Sequence, residues 1–118
     1  MDCPYIPTLG YGEFSKRLHE NAVEKRIPIS GSIELTERCN LKCVHCYINQ
    51  SPDNIKLSKR EMSKNEIFNI LDQIVDAGCL WILLTGGEPL LRHDFLDIYT
   101  YAKKKGAACD NFYKWNFN

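Results

Sequence analysis

Apolar residues recur along this chain with two different periods, and each change of period marks a change of element. From Tyr11 to Arg26, Phe14, Leu18, Ala22 and Val23 fall at helical spacing, which predicts a modest amphipathic helix. Pro28 ends it, because proline disfavours helical dihedrals in the residue before it. Ile29 to Thr36, "ISGSIELT", then reads as a strand, and the polar stretch "NQSPDNIKLSKREM" as a loop. Ser63 and Glu66 have the spacing of a capping box, in which each side chain satisfies a free amide of the other residue. Ile67, Ile70, Leu71, Ile74 and Val75 follow on one helical face, and Gly78 suits the left-handed residue that closes such a helix. "LWILLT", Leu80 to Thr85, is a continuous apolar run and predicts a strand buried on both faces, with Trp81 in the core. A last helix begins near Asp94, whose side chain is expected to cap it. It runs through Phe95, Ile98, Tyr99 and Ala102 to Lys103, Lys104, Lys105 and Gly106.

Strand, loop, helix, strand, loop, helix is two βα units, so the fold class is α/β with parallel strands. In such a sheet the strand ends all point one way. The loops after the two strands therefore share one face. One of these loops is "ERCNLKCVHCYI", with Cys39, Cys43 and Cys46 inside eight positions. The other is Gly86-Gly87-Glu88-Pro89.

Composition narrows the chemistry without naming it. Fifteen basic residues balance fifteen acidic ones, which leaves no electrostatic footprint for nucleic acid or an anionic membrane. Lys56, Lys59, Arg60 and Lys64 form the densest basic stretch and read as a solvated surface. No secretory signal and no apolar run of about 18 residues is visible, so a reducing cytoplasm is the expected compartment. Clustered thiols there favour metal binding or catalysis over disulfides.

Three thiolates in one short loop suit zinc or an iron–sulfur cluster. Structural zinc wants four closed ligands, and His45 adjoins Cys46 too closely for an easy shared chelate. A four-iron cubane accepts three cysteines and leaves one iron open. Both readings stand on the residues alone.

The pattern Cys39-x3-Cys43-x2-Cys46 after one strand, with Gly86-Gly87-Glu88-Pro89 after the next, resembles the radical S-adenosylmethionine (radical SAM) superfamily. The flanking text "IELTERCNLKCVHCYI" and "LLTGGEPLLR" is most similar to its peptide- and sulfatase-maturase branch, of the SPASM type. The resemblance implies the opening βα units of a partial (β/α)6 TIM-like barrel. It implies a [4Fe-4S] cluster on Cys39, Cys43 and Cys46, with S-adenosylmethionine (SAM) on the open iron. It implies an oxidoreductase-type reaction in which a 5′-deoxyadenosyl radical abstracts hydrogen from a peptide or protein. An electron donor such as a flavodoxin or ferredoxin is the implied partner, with neither nucleic acid nor membrane. Gly86 and Gly87 would let the backbone approach SAM, Glu88 would accept from its ammonium, and Pro89 would stiffen the turn. The position before the third cysteine, usually aromatic and against adenine, is His45, with Tyr47 just beyond. No residue is assigned as catalytic, and Arg92 is given no role.

Simpler roles are expected elsewhere. Cys79 reads as core, Cys3 and Cys109 as incidental thiols, His19 and His93 as surface residues, and Glu34 and Glu37 as solvated or paired carboxylates. Residues 1–28 form an N-terminal extension with a short helix, 29–106 the opening part of the radical SAM core, and 107–118 an atypical tail. Most of the barrel is absent from this sequence, so the chain is expected to be a truncated or frameshifted N-terminal fragment with an exposed sheet. The competing reading is a non-enzymatic zinc or iron–sulfur binding module.

Overall fold

The computed structural model describes residues 8–46 and 50–111; Cys3, Tyr47 and the end of the expected tail lie outside them. The elements run α1 (Tyr11–Glu24), β1 (Ser30–Thr36), α2 (Ile55–Arg60), α3 (Lys64–Asp76), β2 (Trp81–Gly86), a 3₁₀ turn (Pro89–Leu91), α4 (Phe95–Lys104) and β3 (Ala108–Asn111). The three strands make one parallel sheet in the order β1-β2-β3. Ser30 to Glu34 lie opposite Trp81 to Thr85, and an irregularity then sets Thr36 opposite Gly86. Trp81 to Leu84 pair on their other side with Ala108 to Asn111. The α/β class and the parallel pairing follow the sequence pattern. No helix among the described residues is long and apolar enough to cross a membrane.

Register explains the core. Paired residues of a sheet point to the same face. Ile33 and Leu35 of β1 therefore join Ile82 and Leu84 of β2 on the face that α3 and α4 cover. Ile67, Leu71, Ile82, Leu84 and Ile98 are fully buried there. Each contributes about 1.5–3 kcal/mol by leaving water. The capping box of α3 is present, with Ser63 Oγ accepting from Glu66 N at 3.3 Å and Glu66 Oε2 accepting from Ser63 N at 2.7 Å. A cap is worth about 1 kcal/mol, so packing holds α3 and the cap sets where it starts. Gly78 closes the helix at φ +102°.

Several expectations need correction. Trp81 is 38% exposed because it lies on the opposite face of the sheet from the helices, so β2 is covered by helices on one face and not two. The segment expected to be a loop contains α2, whose start is capped by Asn54 Oδ1 accepting from Leu57 N at 3.2 Å. Along α1 only Ala22 is buried, while Phe14 and Val23 remain exposed. Residues 108–111, placed in the atypical tail, are a sheet strand. Cys79 is core as expected; burial pushes its thiol pKa up, and its Sγ donates to Trp81 O at 3.3 Å.

Asp94 occupies the residue before α4, but its side chain makes no cap. Both its oxygens accept instead from Arg92, Oδ1 from Nε and Oδ2 from Nη2, each at 2.9 Å. Arg92 Nη1 also donates to Leu35 O and Met62 O, each at 3.0 Å. One buried guanidinium thus ties the end of β1, the residue before Ser63 and the start of α4 together. The bidentate pair, with its further bonds to two carbonyls, meets the geometric condition under which attraction can offset the desolvation penalty of a buried ion pair.

Arg92 hydrogen bonding holds the Asp94 carboxyl below the usual carboxylate range, against burial. A depressed folded pKa contributes stability that is present above the unfolded value of about 4 and lost as pH falls through the folded value. Urea midpoints measured from pH 7 to pH 2.5 should therefore fall steeply below about pH 4. Asp94→Asn should lower stability at pH 7 by about 3 kcal/mol, because it leaves a buried guanidinium short of its counter-charge, and should flatten that acid slope.

Candidate cofactor site

The two odd loops of the sequence meet at the C-terminal ends of β1 and β2. The ladder does not stop where the strands end. Gly87 N donates to Thr36 O at 2.7 Å and Glu88 N donates to Arg38 O at 2.9 Å. These two bonds lay the glycine turn directly against the root of the cysteine loop. A Cβ on Gly86 would stand 2.1 Å from Thr36 O, and one on Gly87 would stand 2.2 Å from Arg38 O. Gly86 also has φ +133°, where an L side chain is strained. The expectation that these glycines serve a ligand's approach is thus preceded by a requirement internal to the fold. Two backbones cross here, and only glycine lets them touch.

The cysteine loop is fixed at its ends. Cys39 N donates to Gln50 O at 2.9 Å, and Arg38 and Gln50 form an isolated parallel bridge that closes the loop. Cys39 is buried at the root, with its Sγ accepting from Leu41 N at 3.3 Å. Cys46 N donates to Cys43 O at 3.2 Å, and both these cysteines are half-buried. His45 is exposed in the turn just before Cys46. Among the described residues, no three Cys, His, Asp or Glu side chains are gathered where they could hold a metal ion. The structure brings the cysteine-loop root and the glycine turn together, and does not draw the three thiols to a point.

The donor set still suits an iron–sulfur group. Three soft thiols lie on one loop with anchored ends, and the buried one already accepts an amide N–H, the kind of bond that tunes a thiolate ligand. Hard oxygen-seeking cations have no comparable set on this loop.

Residues that sequence reasoning passed over hold the root in place. Arg38 forms a bidentate pair with Glu61, Nε to Oε1 at 2.7 Å and Nη2 to Oε2 at 3.0 Å, and its Nη1 donates to Pro52 O at 3.2 Å. Thr36 Oγ1 donates to Glu61 Oε1 and accepts from Arg38 N at 3.1 Å. Both side chains of the ion pair are largely buried, at 16% and 14% exposure. Burial raises the Glu61 carboxyl, but hydrogen bonds from Arg38 and Thr36, with the charges of Arg38 and Arg92, bring it below its ordinary range. Bonding to Glu61 raises Arg38 in turn. The one signal available for Arg38 was its place beside Cys39; Glu61, 23 residues away, had none.

Glu88 and Pro89 lie where the turn leaves the crossing. Glu88 Oε1 accepts from Leu90 N at 3.0 Å, and Pro89 opens the 3₁₀ turn as its first residue. A cleft of about 190 Å³ lies between the end of β1 and α2, lined by Thr36, Glu37, Leu57, Arg60, Glu61 and Met62 among others. It is smaller than the roughly 300–1,000 Å³ of a typical ligand pocket.

Against known proteins, the family model described as Radical SAM superfamily matches residues 33–115. The chain is similar to Fe-coproporphyrin III synthase of Methanosarcina barkeri, 34% identical over 83% of this chain and 24% of that protein. It is similar to a probable GTP 3′,8-cyclase of Methanothermobacter marburgensis, 39% identical over 70% of this chain and 25% of that protein. It is also similar to the antilisterial bacteriocin subtilosin biosynthesis protein AlbA of Bacillus subtilis, 37% identical over 67% of this chain and 17% of that protein. The chain spans a quarter or less of the length of these relatives. No solved structure matches.

The backbone crossing predicts a phenotype without any ligand. Gly87→Ala should lower the stability of the metal-free chain by at least about 1–3 kcal/mol, because the backbones must part to admit the methyl group. Thermal melts of wild type and variant check this, and equal melting temperatures would rule the crossing out as the reason for glycine.

Proposed function

The chain belongs to the radical SAM superfamily, whose members use a [4Fe-4S] cluster and SAM, and we propose that it is the cluster-bearing part of such an enzyme acting on a peptide or protein. The observation that carries this reading is the backbone crossing of Gly87 and Glu88 on Thr36 and Arg38, which seats a glycine-glutamate turn against a three-thiol loop. The three-stranded parallel sheet with its two helical crossovers is, on this reading, the opening of a partial TIM-like barrel. The likeness to a bacteriocin biosynthesis protein supports a peptide substrate, as does the sequence around the cysteines.

Each residue then has a task. Cys39, Cys43 and Cys46 hold the cluster by their thiolates. The bond from Leu41 N keeps Cys39 oriented at the buried end. The Glu88 carboxylate, with Oε1 occupied by Leu90 N, offers Oε2 to the ammonium of SAM. Pro89 fixes the direction in which the chain leaves the turn. His45, exposed before Cys46, is assigned to the adenine. When bound, the cluster and SAM would supply one-electron radical chemistry, with a donor such as a flavodoxin or ferredoxin as the source of the electron. Gly86 and Gly87 hold the turn against the root of the cysteine loop, so a ligand held by Glu88 would lie on the same side of the sheet as a group held by the thiols.

Anaerobic reconstitution with iron and sulfide tests the proposal. The chain should take up iron and sulfide in equal amounts, its reduced EPR signal should change on adding SAM, and 5′-deoxyadenosine should form under reduction. Stoichiometric zinc with no response to SAM would instead establish a metal-binding module and end the enzymatic reading.

A further inference from the structure

Arg38 is held at more points than any role in the sheet requires. Its carbonyl accepts from Glu88 N, its amide donates to Thr36 Oγ1, and its guanidinium pairs with Glu61 while reaching Pro52 O. The next residue, Cys39, is tied to Gln50. The glycine turn, the first cysteine and the chain returning from the loop therefore all register against one residue. Glu61 stands just past α2, a six-residue helix with no buried residue of its own, and the ion pair, with the Thr36 hydroxyl and the Arg92 bond to Met62 O, fastens that segment here.

We propose that Arg38, clamped by Glu61, is a positioning residue: it keeps the cysteine loop and the Gly86–Pro89 turn in one register, so that loosening the clamp displaces both. The proposal rests on the function proposed above for its second consequence only. A guanidinium fork fits a carboxylate at two points, and neither an amide nor an ammonium reproduces that fit. Glu61→Gln keeps the shape and removes the charge. Arg38→Lys keeps the charge and removes the fork. Both should loosen the register without emptying the core, because neither side belongs to the apolar cluster around Ile67 and Leu84.

Amide hydrogen exchange on the full, metal-free chain reads the first consequence. In Glu61→Gln, exchange should quicken at Cys39 and Glu88 together, although Glu88 has no contact with residue 61 through its own side chain. Exchange quickened only around residues 58–63 would overturn the proposal. Tyr101→Phe removes a hydrogen bond to Asp72 on the far helix and gives a control for general loss of stability. Equal quickening in that variant would also overturn it.

SAM titration of the reconstituted protein, followed by EPR, reads the second consequence. Both clamp variants should still load iron, less tightly than wild type, and should need about tenfold or more SAM for the same spectral change, since an outer support of a metal site is typically worth about 10–100-fold in metal affinity or activity. Unchanged midpoints would reduce the clamp to a structural tie and overturn its positioning role. If wild type binds no cluster, the proposed function falls, while hydrogen exchange still decides whether Arg38 couples the two loops.

Discussion

Two amide hydrogen bonds, Gly87 to Thr36 and Glu88 to Arg38, decide what this small sheet can be used for. A parallel pair of strands ends with its two exit loops side by side, and ordinarily side chains hold those loops apart. Here the side chains are missing from one of them. The crossing is close enough that a single methyl group on either glycine would overlap a carbonyl oxygen. Loops that touch along their backbones stay neighbours, so the root of the cysteine loop and the glycine turn, far apart in the chain, meet at one end of the sheet.

The energetic hierarchy separates fold from site. Burial of five aliphatic side chains between sheet and helices outweighs every polar interaction in the molecule. The polar groups do something else: they fix angles and registers. Arg92 joins β1, Met62 and the start of α4 through four hydrogen bonds, and Arg38 joins the cysteine loop to the segment after α2. Glu61 lies within reach of both guanidinium charges. Buried ion pairs are poor sources of net stability, and both pairs here are bidentate, the geometry that constrains the segments they join.

Local features were legible in the sequence, and non-local ones were not. The α3 capping box and apolar face depend on residues three and four apart, so pattern alone finds them. The parallel strands follow from alternation of elements, and with them the meeting of the two motif loops. By contrast α2 is too short and polar for any periodic signal, although Asn54 offered a cap that could have marked its start. Trp81 was misplaced because an apolar run looks the same whether one face or both are covered. Asp94 was read as a cap because the side chain that claims it, Arg92, is an interaction of packing rather than of helix geometry. Arg38 and Glu61 were invisible for the same reason.

The glycines carry the most general lesson, since motif and mechanism suggested one reason for them and the packing supplies another. A residue type demanded by a ligand and the same type demanded by the fold leave an identical mark on a sequence. Substituting Gly86 or Gly87 would disturb the site under either explanation, so a functional loss alone cannot assign them to cofactor binding. Geometry separates the two causes, because a Cβ at either position collides with this chain's own backbone before any ligand is considered. The motif is therefore structural first. It sets Glu88 against Arg38, the residue beside Cys39, and whatever it contributes to ligand binding depends on that prior contact.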